Sequence, residues 1–262
     1  MVLPLQSNEV DITINANNAE MLANYDDENG LFIFRGVPYA KPPVGKLRWK
    51  SPQPVEEKSQ IDARSFKPAC MQDTYITDWY HDVIESFEQD TSLFEHVKEV
   101  SEDCLYLNIW TPSVDKTKKK PVMVWVHGGA DTGGWSYEPD YLGHHLAKKD
   151  VVVVSIGYRL NVFGFFKHPE MSDETGNFGL EDEILALKWI QENIEDFGGD
   201  PNNVTIFGES AGGGSVCPKR CILPMPTFHR LRHQSFLHVR LATDIIESLY
   251  VAVRERDWFC CL

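Results

Sequence analysis

The fold is decided by the stretch Val204-Thr205-Ile206-Phe207-Gly208-Glu209-Ser210-Ala211-Gly212-Gly213. Its first four residues are apolar or β-branched, which is typical of a strand buried on both faces. Gly208, Ser210 and Gly212 form a G-x-S-x-G pattern, in which a strand turns so sharply into a helix that side chains on either side of the serine would clash. The pattern predicts an exposed, nucleophilic Ser210 at the positive end of a helix. The alternative is a glycine-rich turn with an idle serine.

A second glycine-rich segment, His127-Gly128-Gly129-Ala130, follows the β-branched run 122–126. Glycines allow the main chain to approach a ligand closely, and acyl transfer needs backbone N–H groups that face the developing oxyanion. We expect these donors to be Gly129, Ala130 and, directly after the serine, Ala211. The two segments together predict a nucleophile that faces an oxyanion hole.

The sequence between these segments alternates strand and helix patterns. The runs 121–126 and 151–158 predict strands buried on both faces of a sheet. Apolar residues recur at helical spacing over 180–194, and the Gly-Gly-Asp-Pro sequence at 198–201 ends that helix. Strand, helix and strand in this order predict an α/β fold with a mostly parallel central sheet.

The first part of the chain has a less regular pattern. We predict strands at 10–14, 31–34 and 105–110. Three prolines and two glycines in 36–45 predict an ordered surface loop. The polar stretch 71–100 predicts a long excursion with weak helical patches around 82–87 and 93–97.

Composition narrows the range of functions. The 262 residues suffice for one large α/β domain, and 25 Lys plus Arg against 39 Asp plus Glu give a net charge of −14. Such an acidic surface repels phosphate backbones, so we expect no nucleic-acid partner. The sequence has no apolar run long enough to cross a bilayer and no visible signal peptide. It also has no metal-ligand spacing or phosphate loop, so we expect neither a metal nor a cofactor. The oligomeric state is left open.

Seven segments in a fixed order carry a family resemblance. They are 34–40 with 42–45, 101–110, 124–129, 158–160, 176–180, 197–201 and the stretch around Ser210. Over about residues 30–215 the chain resembles the type-B carboxylesterase/lipase family, the cholinesterase-like branch of the α/β-hydrolases. The resemblance implies the α/β-hydrolase fold and hydrolysis of small-molecule carboxylic esters through a serine acyl-enzyme.

The resemblance also implies roles for five other residues. Cys70 and Cys104 match the family's first disulfide, with two free thiols as the alternative. A disulfide would indicate secretion or the endoplasmic reticulum lumen, although localisation is left open. Arg48 and Glu102 match a buried structural ion pair. Glu209 matches a carboxylate that supports the charge pattern at the nucleophile, with an ordinary helix N-terminal carboxylate as the alternative.

The chain departs from the family pattern in two ways. Asp131 replaces a residue that is usually aromatic, and a carboxylate there opposes oxyanion stabilisation unless it points to solvent. The triad order of this fold is serine, acid, histidine, yet no Asp or Glu lies between Ser210 and the later histidines. Those histidines are His229, His233 and His238. The earlier ones, which we expect on loops or helix surfaces, are His81, His96, His144, His145 and His168.

The composition changes near residue 215. From 216 onward there are seven Lys or Arg against four Asp or Glu, and four of the six cysteines. We therefore predict that 1–215 is the N-terminal portion of an α/β-hydrolase domain and that 216–262 is a divergent tail of other origin. The sheet is then expected to stop after the strand before Ser210 and the start of the next helix, which leaves that strand at an open edge.

Three hypotheses about function follow. The chain is a carboxylic-ester hydrolase by family that is incomplete and inactive alone. Otherwise it is a non-catalytic binding or adhesion protein of the same fold, or an unstable splice or gene-model product. The intact Ser210 favours the first, because adhesion relatives commonly lack the nucleophile.

Overall fold

The computed structural model describes residues 9–56, 60–93, 99–171, 175–222 and 230–234. The strands are β1 (Glu9–Ala16), β2 (Ala19–Asp26), β3 (Leu31–Pro38), β4 (Gln60–Asp62), β5 (Ala69–Cys70), β6 (Val100–Ser101), β7 (Tyr106–Thr111), β8 (Lys120–Val126), β9 (Val152–Ile156), β10 (Gly199–Glu209) and β11 (Arg230–Gln234). The helices are α1 (Tyr75–Ser86), α2 (His144–Ala147), α3 (Asn161–Gly164), α4 (Phe178–Asn193) and α5 (Ser210–Ile222).

One large mixed sheet organises the chain. Its strand order is β1-β2-β3-β7-β9-β8-β10-β11, with β4 paired to β2. The pairs β9–β8, β8–β10 and β10–β11 are parallel. The pairs β1–β2, β2–β3, β3–β7 and β7–β9 are antiparallel. The α/β class is confirmed, and the parallel half of the sheet contains the strands predicted from their β-branched runs.

Side chains cover both faces of the central strands, as a parallel sheet requires. All five residues of β9 and the last five of β8 are buried. One face packs against α4 through a core that includes Val124, Val154, Leu187 and Ile190. The other face has a smaller core that includes Trp110, Trp125, Leu146 and Phe207. Burial on both faces explains why these strands show no polar alternation in sequence.

The expected open edge beside the serine is wrong. Strand β11 pairs in parallel with β10, from Thr205 opposite Arg230 to Glu209 opposite Gln234. Strand β10 is therefore an interior strand of the sheet. The β11 sequence has one apolar residue in five and so lacks the pattern of a buried strand. The boundary predicted near 215 falls inside α5.

Two N-terminal elements are longer than predicted. Strand β3 continues into the predicted loop, because after a register shift Val37 pairs with Leu107 and Pro38 with Tyr106. Helix α1 begins at Tyr75, before the weak helical patch at 82–87. The second patch, 93–97, lies almost wholly outside the described residues. Among the helices that the structure describes, none has the length and apolar character to cross a membrane.

Covalent and ionic links fasten the loops to the sheet. The predicted disulfide is confirmed, since Cys70 and Cys104 are bonded. Arg48 and Glu102 form an ion pair, with Nε to Oε2 at 2.5 Å, but 39% of the Arg48 side chain is exposed, so the pair is not buried as expected.

A second ion pair is fully buried. Arg159 Nη2 and Asp182 Oδ1 lie 2.7 Å apart, and the two side chains are 3% and 0% exposed. The Arg159 backbone N–H also donates to the Asp182 carboxylate. This pair joins the loop after β9 to α4, and no pattern in the sequence predicts it.

Candidate active site

The serine lies at the sharp turn where β10 passes into α5. Ser210 is exposed and has φ of +50°, a strained left-handed conformation for a non-glycine residue. A Cβ on Gly212 would lie 2.3 Å from the carbonyl oxygens of Val126 and His127, and one on Gly208 would lie 2.7 Å from that of Val126. Both glycines are required because the turn presses against the end of β8.

The second glycine-rich segment, defined from here as the oxyanion segment (residues 127–134), touches this turn. A Cβ on Gly128 would lie 3.1 Å from Ser210 Cβ and 2.5 Å from Glu209 Oε2. Gly129 and Ala130 then have φ of +99° and +54°, so the chain reverses immediately after this contact. The order of the parallel strands β8 and β10 therefore brings together the two segments that the sequence singles out.

Two backbone donors of this segment, the N–H groups predicted to form the oxyanion hole, are unengaged within the described part of the chain. Across the residues that the structure describes, the N–H groups of Gly129 and Ala130 donate no hydrogen bond. The carbonyl of Gly129 accepts N–H groups from Thr132 and Gly133 at 2.9 and 3.0 Å, which holds the reversal. Ala211 lies in the first turn of α5, where N–H groups have no intrahelical acceptor. The roles of these three donors stay a prediction.

His127 belongs to the scaffold of the segment. Its ring is buried, stacks on Tyr158 with centroids 4.4 Å apart, and places Nδ1 2.9 Å from the Gly128 carbonyl oxygen. The Tyr158 hydroxyl donates to the His127 carbonyl at 2.8 Å. Burial lowers the pKa of His127 to about 4, so the imidazole is neutral at pH 7. These contacts fix the start of the oxyanion segment.

Two carboxyl groups lie in the segments that form the site. Glu209 directly precedes the nucleophile and is partly buried, and burial raises its pKa. Asp131 follows the predicted donors with φ of +60°, and its carbonyl accepts the Asn161 N–H at 2.8 Å. Burial first, and then the Asp131 charge, raise the pKa of Tyr158. Asp131 therefore adds negative charge near Tyr158, which packs on His127.

No described imidazole serves Ser210. Within the side chains that the structure describes, no histidine ring is hydrogen-bonded to the serine hydroxyl. His144, expected on a surface, is instead buried against Trp110, with ring centroids 5.8 Å apart. The backbone of His233 lies opposite Gly208 in the parallel ladder of β10 and β11. His229 and His238 lie outside the described residues.

One buried acid beside the site was not predicted from the sequence. Glu138 is 2% exposed and accepts the Trp135 N–H on Oε1 at 3.1 Å. It directly follows the aromatic stretch Trp135-Ser136-Tyr137, and a carboxylate next to such a stretch is a weak indication of burial.

Comparison with known proteins identifies the family. Residues 21–235 match the model of the carboxylesterase family, and the chain belongs to that family. The match includes β11 and passes the boundary predicted near 215.

Curated relatives agree with this assignment. The chain is 47% identical over 192 residues to the medium-chain fatty acyl-CoA hydrolase precursor of Anas platyrhynchos, which covers 72% of this chain and 33% of that protein. It is 40% identical over 219 residues to the acetylcholinesterase of Bungarus fasciatus, covering 82% and 34% respectively. The chain thus spans about a third of the length of the curated relatives that it matches.

Solved structures agree on the fold. A thermophilic PNB esterase superposes with a TM-score of 0.67 at 38% identity, over 78% of this chain and 40% of that one. A carboxylesterase of Geobacillus stearothermophilus gives a TM-score of 0.64 at 41% identity, over 78% and 39%. The predicted α/β-hydrolase fold is confirmed.

Proposed function

We propose that the chain carries the nucleophile and the oxyanion hole of a serine carboxylesterase that acts on small-molecule esters. Membership of the carboxylesterase family supports this proposal. The observation that carries it is the strained turn at Ser210, with φ of +50°, packed against Gly128 of the oxyanion segment. Backbone strain at an exposed hydroxyl, next to backbone donors that no described residue engages, is an arrangement suited to acyl transfer.

The proposed chemistry is transfer of an acyl group to Ser210 and then to water. Ser210 Oγ adds to the ester carbonyl carbon while its proton passes to a base. The carbonyl oxygen becomes an anion that accepts hydrogen bonds from the N–H groups of Gly129, Ala130 and Ala211, aided by the positive end of α5. The C–O bond to the alcohol then breaks, and water hydrolyses the acyl-enzyme.

The base is the weak element of this site. The described side chains bring no imidazole to Ser210, and in a well-studied serine protease the loss of the histidine alone lowers turnover about 10⁶-fold. We therefore propose that the chain alone hydrolyses esters very slowly. The Cys70–Cys104 disulfide supports an oxidising compartment for the chain.

The test is chemical rescue of ester hydrolysis by added imidazole, which can act as the base. Hydrolysis of p-nitrophenyl acetate by the full chain is measured with and without added imidazole, and an alkyl fluorophosphonate identifies the reactive serine by peptide mass spectrometry. We expect a rate near background that rises with imidazole, and a modification at Ser210. Ser210→Ala should abolish both, while Ser51→Ala, at an exposed loop serine, should change neither.

Two results would contradict the proposal. Equal imidazole-dependent rates in the parent chain and Ser210→Ala would exclude Ser210 as the nucleophile. Fast Ser210-dependent hydrolysis without imidazole would show that a base is already in place.

A further inference from the structure

A buried carboxyl joins the oxyanion segment to helix α1. Glu138 lies just beyond that segment, and its Oε1 accepts the Trp135 N–H at 3.1 Å. The same carboxyl is hydrogen-bonded to the hydroxyl of Tyr80 on α1, and Tyr80 is in turn hydrogen-bonded to Tyr141. A side chain only 2% exposed is thus held by a backbone amide from one element and a phenol from another.

The carboxyl also supports the packing of the oxyanion segment. A Cβ on Gly134 would lie 3.1 Å from Glu138 Oε1 and 2.5 Å from the Gly128 carbonyl oxygen. Gly134 therefore lies close to both Glu138 and the start of the segment. Gly128 in turn contacts the serine turn, since a Cβ there would lie 3.1 Å from Ser210 Cβ. An unbroken series of contacts leads from Glu138 to the nucleophile.

Burial of Glu138 favours its neutral form. The titratable groups near the carboxyl are Tyr80 on α1, Tyr141 and Asp140 on its own turn, and Glu209 at the end of β10. Burial first, and then the charges of Glu209 and Asp140, raise the pKa of Glu138 to about 8, although the hydrogen bonds from the Trp135 N–H and the Tyr80 hydroxyl lower it. At neutral pH the group is therefore a carboxylic acid, and its deprotonation places a third negative charge beside two others.

We propose that Glu138 is a positioning residue that holds the oxyanion segment against Ser210 while it is protonated, and that loss of its proton loosens the segment. The consequence for catalysis rests on the proposed function, because only an esterase needs these backbone donors in place. The contact itself does not, so it can be tested without any turnover.

The test is amide hydrogen exchange of the full chain, followed by mass spectrometry on peptides that cover 127–135. Glu138→Gln keeps an acceptor for Trp135 and a hydrogen-bonding group for Tyr80 but cannot ionise, and Glu138→Leu keeps neither. Glu85→Gln, at an exposed position of α1, is the matched control. Variants are compared at one pH, so that the intrinsic pH dependence of exchange cancels.

At about pH 4, where the carboxyl is protonated whether the segment is closed or open, we expect the parent chain and Glu138→Gln to exchange about equally, and Glu138→Leu to exchange about 10-fold faster in this segment alone. As the pH rises from about 4.3, the ordinary pKa of Glu, to about 8, the pKa of the packed Glu138, ionisation favours the open segment. The parent chain should therefore exchange progressively faster there than Glu138→Gln, by at least about 10-fold at about pH 9, and the ratio should level off above about pH 8. Glu85→Gln should follow the parent chain throughout.

Three outcomes would overturn this role. The first is unchanged exchange in Glu138→Leu, and the second is identical exchange of the parent chain and Glu138→Gln at about pH 9. The third is acceleration spread evenly over β8, β9 and β10, because that would indicate a purely structural role. Failure of the esterase proposal would instead appear as Ser210-independent labelling, and it would leave these exchange rates unaffected.

Discussion

Two glycines of α5 should respond in opposite ways to the same substitution. Gly212→Ala should destabilise the protein, whereas Gly214→Ala should stabilise it. A Cβ on Gly212 would lie 2.3 Å from two carbonyl oxygens at the end of β8, while one on Gly214 would meet nothing within 4 Å. Both residues lie in the same helix, so the comparison isolates the steric requirement of the serine turn.

The magnitudes follow from the contacts. Ordinary van der Waals contact begins at 3.4 Å, so the Gly212→Ala methyl would overlap the oxygens of Val126 and His127 by more than 1 Å. Overpacking usually costs about 1–3 kcal/mol, and here the obstructing atoms are backbone and cannot rotate away. The helix gains at most about 1 kcal/mol from alanine. We expect a net loss of about 2 kcal/mol for Gly212→Ala, from the upper end of that cost less the helix gain, and a gain of about 0.5–1 kcal/mol for Gly214→Ala.

The assay is urea unfolding followed by tryptophan fluorescence and far-UV circular dichroism. Coincident transitions in the two signals validate the free energies of unfolding. If Gly212→Ala were as stable as the parent chain, β8 would not press on the turn, and the explanation for Gly208 and Gly212 would fail. Destabilisation by both substitutions would point to a general intolerance of α5 instead.

Three further perturbations test other parts of the fold. Cys70→Ser should lower the free energy of unfolding by about 4 kcal/mol, because the disulfide closes a loop with a sequence separation of 34; an unchanged urea midpoint would contradict this. Asp182→Asn should cost about 3–5 kcal/mol in the same assay, since it leaves the Arg159 guanidinium buried without its anion. Glu102→Gln, in the more exposed ion pair, should cost much less, and similar losses would refute the distinction. Burial, followed by the Arg35 charge, lowers the pKa of His144 to about 4. The unfolded imidazole therefore gains a proton that the native one does not as pH falls from about 6.5 to 4, and stability drops by up to about 1.4 kcal/mol per pH unit. His144→Phe should lose this component of the pH dependence, and equal slopes in both proteins would exclude it.

The parts of the fold that depend on local sterics could be predicted from the sequence. The runs that became β8 and β9 consist of residues buried on both faces, so their apolar character alone identifies them. The turn at Ser210 requires glycine on both sides for reasons confined to a few residues. The meeting of the two glycine-rich segments could be predicted for a different reason, because each follows a buried strand and acyl transfer requires backbone donors beside the nucleophile.

Features that depend on distant partners could not be predicted in this way. Strand β11 owes its strand conformation to pairing with β10, and its polar sequence carries no pattern of its own. Asp182 on an otherwise amphipathic helix looks like a solvated residue until Arg159 packs on it. The burial of Glu138 depends on Tyr80, which belongs to a helix that the polar stretch 71–100 indicated only weakly.

The order of the central strands has a consequence for how the molecule assembles. Strand β8 pairs with β9 and β10, and both connections cross over through long stretches of chain. The hairpin of β1 and β2, by contrast, closes through Asn17 and Asn18, which both have positive φ. Contacts between residues distant in sequence form slowly, because closing the loop between them costs entropy before the contacts can stabilise the structure. During synthesis the β1–β2 hairpin can form at once. The contact between the Ser210 turn and the oxyanion segment can form only after β8, β9 and β10 have paired, so it is among the last parts of the fold to form.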